Sequence, residues 1–190
     1  VTGLAQPLDA SPQLLDAGAV QRITLRLAHE IAERHPILDG VVLVGIPTRG
    51  VPLARAVARQ LASLGHTAPP VAVLDPSAHR DDRPRPALPH PALHDIDGGP
   101  ARRIDGSVVI VVDDVLFTGR TLRAALDALV DCGRPAAVEV LTLIDRGHRE
   151  LPLRATYVGK NVPTASGDRV HVRLREVDGV DGAWLHRRVP

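Results

Sequence analysis

The run Val108-Val109-Ile110-Val111-Val112 constrains this chain more than any other segment. Five consecutive β-branched apolar residues leave no polar face. A strand made of them must be covered on both sides, as in a parallel sheet flanked by helices. The run leads into two adjacent carboxylates, Asp113 and Asp114, and then into Thr118-Gly119-Arg120-Thr121. Beyond that turn, Leu122, Leu126, Leu129 and Val130 set a helical period over about 122–132, which Gly133 and Pro135 end.

The same alternation runs through the rest of the chain. Asp16 is placed to cap a helix over 17–34, whose apolar positions Val20, Ile23, Leu27 and Ile31 recur every three or four residues. Val41-Val42-Leu43-Val44 predicts a buried strand ending in the turn-rich Gly45-Ile46-Pro47-Thr48-Arg49-Gly50. A second helix follows over about 51–64, with Leu53, Ala54, Val57 and Leu61 on one face and Gly65 as its stop. Val71–Leu74, Val138–Ile144, Tyr157–Gly159 and Val170–Val172 read as further strands. Strands alternating with helices indicate a parallel α/β sheet. Residues 1–16 read as a leader without periodicity, and 17–190 as a single domain.

Between 75 and 107 the pattern breaks. Six prolines (Pro76, Pro84, Pro86, Pro89, Pro91 and Pro100) stand among Asp and Arg with no sustained period. A loop of that length in a compact domain is a lid, a binding loop or disorder. A short hairpin, with Ala101–Ile104 pairing upstream, is the alternative.

Composition narrows the function classes. The 23 basic and 22 acidic residues give a net charge of +1, which excludes a strongly basic nucleic-acid coat. A single cysteine, Cys132, excludes a disulfide scaffold and a cysteine-rich zinc site. The nine histidines lack metal-ligand spacing. No apolar run approaches the roughly 20 residues that span a bilayer, and no signal peptide is recognised, so a cytoplasmic protein with no membrane partner is expected. Aromatics are only 2% of the chain, so Ala, Val and Leu must fill the core, and a stacking platform for single-stranded RNA is not expected. Lys160 is the only lysine, and arginine carries the rest of the fixed positive charge.

The unit from Val108 to Leu129 carries the chemistry. The carboxyl edge of a parallel sheet is where such folds place ligands. The helix N-terminus offers unpaired N–H groups and the positive end of a dipole, which favour phosphate. Gly119 permits close approach, and Thr118 and Thr121 add hydroxyl donors. Asp113 and Asp114 repel phosphate but accept from sugar hydroxyls or help to position a divalent cation. A phosphate cradle beside diol acceptors describes a ribose 5-phosphate site. No Gly-x-Gly-x-x-Gly or Gly-Lys-Ser/Thr signature offers a dinucleotide or Walker alternative.

The segment Val108 to Thr121 resembles the signature of type I phosphoribosyltransferases, whose common substrate is phosphoribosyl pyrophosphate (PRPP). Four further blocks, 42–50, 127–135, 145–152 and 157–164, resemble one family within that group. It comprises the bifunctional pyrimidine-operon regulators and uracil phosphoribosyltransferases (PyrR). The blocks follow in order from about Ala19 to Val177. The resemblance implies a type I phosphoribosyltransferase fold: α/β, with a central, mainly parallel sheet flanked by helices, a mobile loop at 75–107, and a small hood from about 145–190 with N-terminal contributions. It implies the reaction uracil + PRPP → UMP + pyrophosphate with Mg²⁺ brought in by PRPP, near Asp113 and Asp114.

By resemblance, Thr48, Arg49 and Gly50 bind pyrophosphate, and Arg80 of Arg80-Asp81-Asp82 reaches it from the mobile loop. Asp113, Asp114, Val115, Leu116, Phe117, Thr118, Gly119, Arg120 and Thr121 bind the rest of PRPP, with Arg80, Asp113 and Asp114 as the catalytic set. Arg146, Lys160 and Val170 surround the base. The family also binds pyr mRNA with UMP or UTP as co-effector. The matching positions are Arg22, Arg26, His29 and Arg34 on the first helix, with Arg149 and Lys160. A homodimer is implied.

Two departures bear on activity. The loop reads Asp75-Pro76-Ser77-Ala78-His79-Arg80-Asp81-Asp82, where Pro76 stiffens the exit from the strand and His79 stands where family members carry a large aromatic. Leu25-Arg26 replaces a Thr-Arg pair common in RNA-binding members. Two other functions share these blocks: a non-enzymatic, nucleotide-sensing RNA-binding regulator, and a phosphoribosyltransferase for another base.

Overall fold

The computed structural model describes residues 11–81, 93–96 and 103–187. Its elements are β1 (Gln13–Leu15), α1 (Ala17–Arg34), β2 (Val41–Gly45), α2 (Gly50–Ser63), β3 (Val71–Leu74), β4 (Leu93–Asp95), β5 (Val108–Leu116), α3 (Arg120–Cys132), β6 (Ala137–Asp145), β7 (Tyr157–Asn161), β8 (Arg169–Arg173), α4 (Arg175–Asp178) and β9 (Gly182–His186). A six-stranded sheet in the order β4-β3-β2-β5-β6-β7 forms the body, and a three-stranded sheet β1-β9-β8 forms the hood. Strands β2, β3, β5, β6 and β7 run parallel, and β4 closes the edge antiparallel to β3.

The two-faced burial expected of Val108–Val112 is what the sheet shows. Ile110 and Val112 face the α1–α2 side with Leu27, Ile31, Leu53 and Val57. Val109 and Val111 face the α3 side with Leu122, Ala125 and Leu129. Asp16 caps α1 as expected, its Oδ1 accepting from Ala19 N at 2.6 Å.

Several boundaries differ from the sequence expectation. β5 does not end at Val112. Its ladder with β6 runs on to Leu116 opposite Asp145, so both aspartates lie within the strand. The partner strand supplies ladder bonds as far as Asp145, and this overrides the polar break. α3 starts at Arg120, two residues early, because Gly119 takes φ +92° and turns the chain directly into the helix. The strand pairing upstream from the long loop is Leu93–Asp95, not Ala101–Ile104. Ile104 is buried outside any strand, while Ala101, Asp82 and the prolines from Pro84 to Pro100 lie outside the described residues. The supposed leader supplies β1 to the hood sheet. β9, which carries Gly182 and an irregular apolar pattern, gave no period-2 signal and was not expected.

Glu139 is buried at 7% exposure on β6. Its carboxylate accepts from Arg34 Nε at 2.6 Å and Tyr157 Oη at 2.6 Å, and pairs with His35 Nε2 at 2.9 Å. Burial opposes ionisation, but these bonds outweigh it and hold the carboxyl below its ordinary range. The resulting stabilisation is present above the ordinary glutamate pKa of about 4.3 and is lost as pH falls through the depressed folded value. Glu139→Gln should cost about 2–3 kcal/mol at pH 7 in chemical denaturation, with a smaller difference at acidic pH.

Candidate active site

The C-terminal ends of β2, β5 and β6 meet in a cleft beneath the hood. Ile46 N donates to Val112 O at 3.0 Å, which ties the turn after β2 to β5. That turn continues through a cis Pro47–Thr48 peptide to Gly50, where α2 begins. A Cβ at Gly50 would lie 2.2 Å from Val112 O and 3.4 Å from Asp113 Cα. Only glycine lets the Thr48-Arg49-Gly50 turn lie against the aspartates. The Arg49 guanidinium forms a two-pronged pair with Asp178 of α4, from Nε to Oδ2 at 3.0 Å and from Nη2 to Oδ1 at 2.8 Å.

Asp113 and Asp114 stand half-buried at the floor of the cleft. Burial pushes the Asp113 carboxyl well above its usual range, the Asp114 charge adds to this, and Arg80 opposes it. Burial also raises Asp114, against a hydrogen bond with Asp113 and the charge of Arg49. Ionising both carboxylates is therefore costly until a donor or cation arrives.

Next to them Phe117, Thr118, Gly119 and Thr121 line a hollow of about 330 Å³ at the N-terminus of α3. Gly119, in the left-handed region, aims the first amides of the helix into it. Arg80 Nη1 donates to Thr121 Oγ1 at 3.2 Å, so the arginine ahead of the long loop reaches this hollow. Arg120 also lines the hollow, and its guanidinium is braced by Glu150 at 2.6 Å and Asp81 at 2.9 Å.

Arg146 is 6% exposed and lies over the Phe117 ring, 4.0 Å from its centroid. It donates to Thr164 Oγ1 at 3.1 Å and to Asp168 O at 2.6 Å. Burial lowers its proton affinity, and the Asp168 charge opposes that shift. The other two residues expected around the base are elsewhere. Lys160 Nζ donates to Leu14 O at 3.0 Å, and Val170 pairs with Leu185 in the hood sheet, packed toward the core.

The expected RNA set divides in the same way. Arg22, Arg26, His29 and Arg34 share the exposed face of α1. Arg34 is drawn onto Glu139, and Arg26 onto Glu30 and the carbonyls of Val158 and Gly159. Arg22 and His29 have no ion-pair partner among the described residues. Arg149 ties its own 145–153 segment to the end of β5, donating to Leu153 O at 2.8 Å, Gly147 O at 3.1 Å, Asp145 Oδ2 at 2.5 Å and Phe117 O at 2.6 Å.

Sequence reasoning missed Asp178, Glu150 and the bracing role of Arg149. Asp178 lies 129 residues from Arg49, so no local pattern could flag it. The Asp145-to-Arg149 spacing of four was the only available hint for the third.

Over residues 11–173 the sequence matches the phosphoribosyl transferase domain family. The bifunctional protein PyrR of Chloroflexus aurantiacus is 54% identical over 176 residues, covering 92% of this chain and 94% of that protein. This chain belongs to the PyrR family. A second PyrR, from Streptomyces coelicolor, is 50% identical over 183 residues, covering 95% of this chain and 91% of that protein. Solved structures extend the likeness of fold. A hypoxanthine phosphoribosyltransferase from Staphylococcus aureus superposes with a TM-score of 0.67 at 20% identity, covering 93% of this chain and 91% of that one. One from Trypanosoma cruzi gives 0.69 at 17% identity, covering 94% and 97%. At those identities a PyrR chain and a purine-named enzyme share the scaffold, and the base is decided elsewhere.

The raised Asp113 carboxyl has a measurable consequence. The folded protonated form is favoured below the unfolded aspartate pKa of about 3.9, and that advantage is lost as pH rises through the elevated folded value. Asp113→Asn should therefore stabilise the fold by about 1 kcal/mol at neutral pH, with the gain absent below pH ~4. Thermal melts across pH check it.

Proposed function

We propose that this protein is a uracil phosphoribosyltransferase that also regulates pyrimidine genes by binding pyr mRNA in the presence of UMP or UTP. The observation that carries the enzyme half is the joining of three features at one sheet edge: the Asp113–Asp114 pair, the α3 N-terminus opened by Gly119, and the Arg49 turn held against β5 by Gly50.

In this mechanism the amides at Gly119–Thr121 and the Thr118 and Thr121 hydroxyls bind the 5-phosphate. Asp113 and Asp114 accept from the ribose hydroxyls and place their charge beneath a ring that becomes positive as the C1–pyrophosphate oxygen bond breaks. Arg49 and Arg80 hold the leaving pyrophosphate. Uracil N1 forms the new bond to C1, and its proton passes to solvent. Arg146, locked over Phe117, shapes the wall beside the base. No residue forms a covalent intermediate.

Mg²⁺ fits this donor set in part. Asp113 and Asp114 offer carboxylate oxygens, but no group of three or more metal-binding side chains stands together among the described residues. The ion would be held chiefly by PRPP oxygens and would offset charge on the leaving group. RNA binding is supported by Arg22 and His29 on the exposed face of α1, which have no ion-pair partner among the described residues. A cytoplasmic homodimer belongs to the same proposal. Among the described residues no helix is long and apolar enough to cross a membrane.

Steady-state UMP formation from uracil, PRPP and Mg²⁺, with hypoxanthine and orotate as competing bases, tests the transfer. Turnover with uracil alone is expected, and turnover only with another base overturns it. Asp113→Asn should lower kcat on the order of 100-fold. Arg49→Gln should raise the KM for PRPP about 10-fold or more with a smaller change in kcat.

A further inference from the structure

The hood sheet has two faces of opposite character. Along β8, Val170 and Val172 turn toward the core, while Arg169, His171 and Arg173 alternate onto the other side. The register with β9 sets His186 opposite Arg169, Trp184 opposite His171 and Gly182 opposite Arg173. The outer face therefore gathers two arginines, two histidines and the only tryptophan of the chain.

The local geometry is built around that tryptophan. The indole lies across Gly182: a Cβ there would meet Trp184 Cη2 at 2.5 Å. The Arg173 guanidinium sits 5.6 Å from the ring centroid. His171 and His186 pack edge to face at 4.5 Å. His171 and Arg169 are exposed, and Trp184 is half-buried.

Positive charge dominates around His171 among the described residues. His171 is held below its ordinary proton affinity by burial, then by the charges of His186, Arg169, Arg49 and Arg173. The carboxylates at the border of this face are held by other donors, although Asp178 also feels the Arg173 charge. Asp168 accepts from Ala165 N, Asp178 from Arg49 and Leu174 N, and Asp181 from Arg175 N.

A cationic sheet face supplied with an aromatic platform has the chemistry that recognises single-stranded nucleic acid. The arginines track phosphates, and the ring accepts a base face. We propose that the outer face of the β1-β9-β8 hood is a second RNA-binding surface, in which Arg169 and Arg173 hold phosphates and Trp184 stacks an unpaired base. The inference rests on the RNA-binding half of the proposed function and is separate from the α1 face. It gives the one tryptophan a stacking role that low aromatic content had argued against.

Because Trp184 is the only tryptophan, its fluorescence reports on this face alone. The full-length protein is titrated with a 12-residue oligouridylate, with inorganic polyphosphate as the charge-only control. Saturable quenching by the oligonucleotide and none by polyphosphate is expected. The Arg169→Gln/Arg173→Gln double variant, with uracil transfer retained as the check on folding, should bind about 10-fold more weakly. Its slope of log affinity against log salt should fall by about 1.4, two contacts at about 0.7 each for a single strand. Trp184→Ala, followed with a labelled oligonucleotide, should lose about 10-fold. Arg22→Gln/His29→Gln should leave the quenching intact. Loss of quenching only in the α1 variant overturns the hood surface while sparing RNA binding. Equal quenching by polyphosphate, or quenching that follows protein concentration alone, overturns it in favour of a simple anion site or a second copy. Absence of any saturable binding overturns both.

Discussion

Two backbones pass each other at Gly50 and Val112 with no room for a side chain between them, and the cleft depends on that passage. The hydrogen bond from Ile46 N to Val112 O draws the turn after β2 against β5. Any Cβ at Gly50 would collide with the Val112 carbonyl. The consequence is chemical: Arg49, at the start of α2, is brought beside two carboxylates that β5 carries to the same level. Phosphate-binding and diol-binding groups then share one sheet edge, where a single ligand carrying both chemistries can span them.

The same edge concentrates electrostatic cost. Asp113 and Asp114 are adjacent and half-buried, and their carboxyls resist ionisation. Opposing them, Arg49 is committed to Asp178 and Arg80 reaches Thr121. Such a site gives up stability when empty and recovers it when hydroxyl donors and a cation arrive. The packing around it is correspondingly firm. Arg146 is clamped over Phe117, and Arg149 ties Phe117, Asp145, Gly147 and Leu153 together, so the wall beside the hollow is held by hydrogen bonds more than by apolar bulk.

How much of this was legible in the sequence follows from the range of the forces. The buried strand at Val108–Val112, the Asp16 cap and the Gly119 turn are local features, and each appears where the residues indicate. The extension of β5 to Leu116 depends on what β6 offers alongside, and no property of Asp113 or Asp114 announces it. β1 and β9 are short strands that exist because β1 pairs with β9 and β9 with β8. The PRPP residues fall in three short runs, Thr48–Gly50, Arg80 and Asp113–Thr121, each carrying a local motif. The residues expected around the base came from three segments, and only Arg146 stands by the Phe117 wall. Asp178 acts across a distance of 129 residues that no local pattern encodes.

The most direct test of the central claim is a crystal structure of the protein with PRPP and Mg²⁺ bound. The 5-phosphate should lie on the amides of Gly119–Thr121, the ribose hydroxyls on Asp113 and Asp114, and the pyrophosphate on the Thr48–Gly50 turn. PRPP bound with its phosphate away from the α3 N-terminus, or with its ribose out of reach of both aspartates, would contradict the site and the transfer built on it.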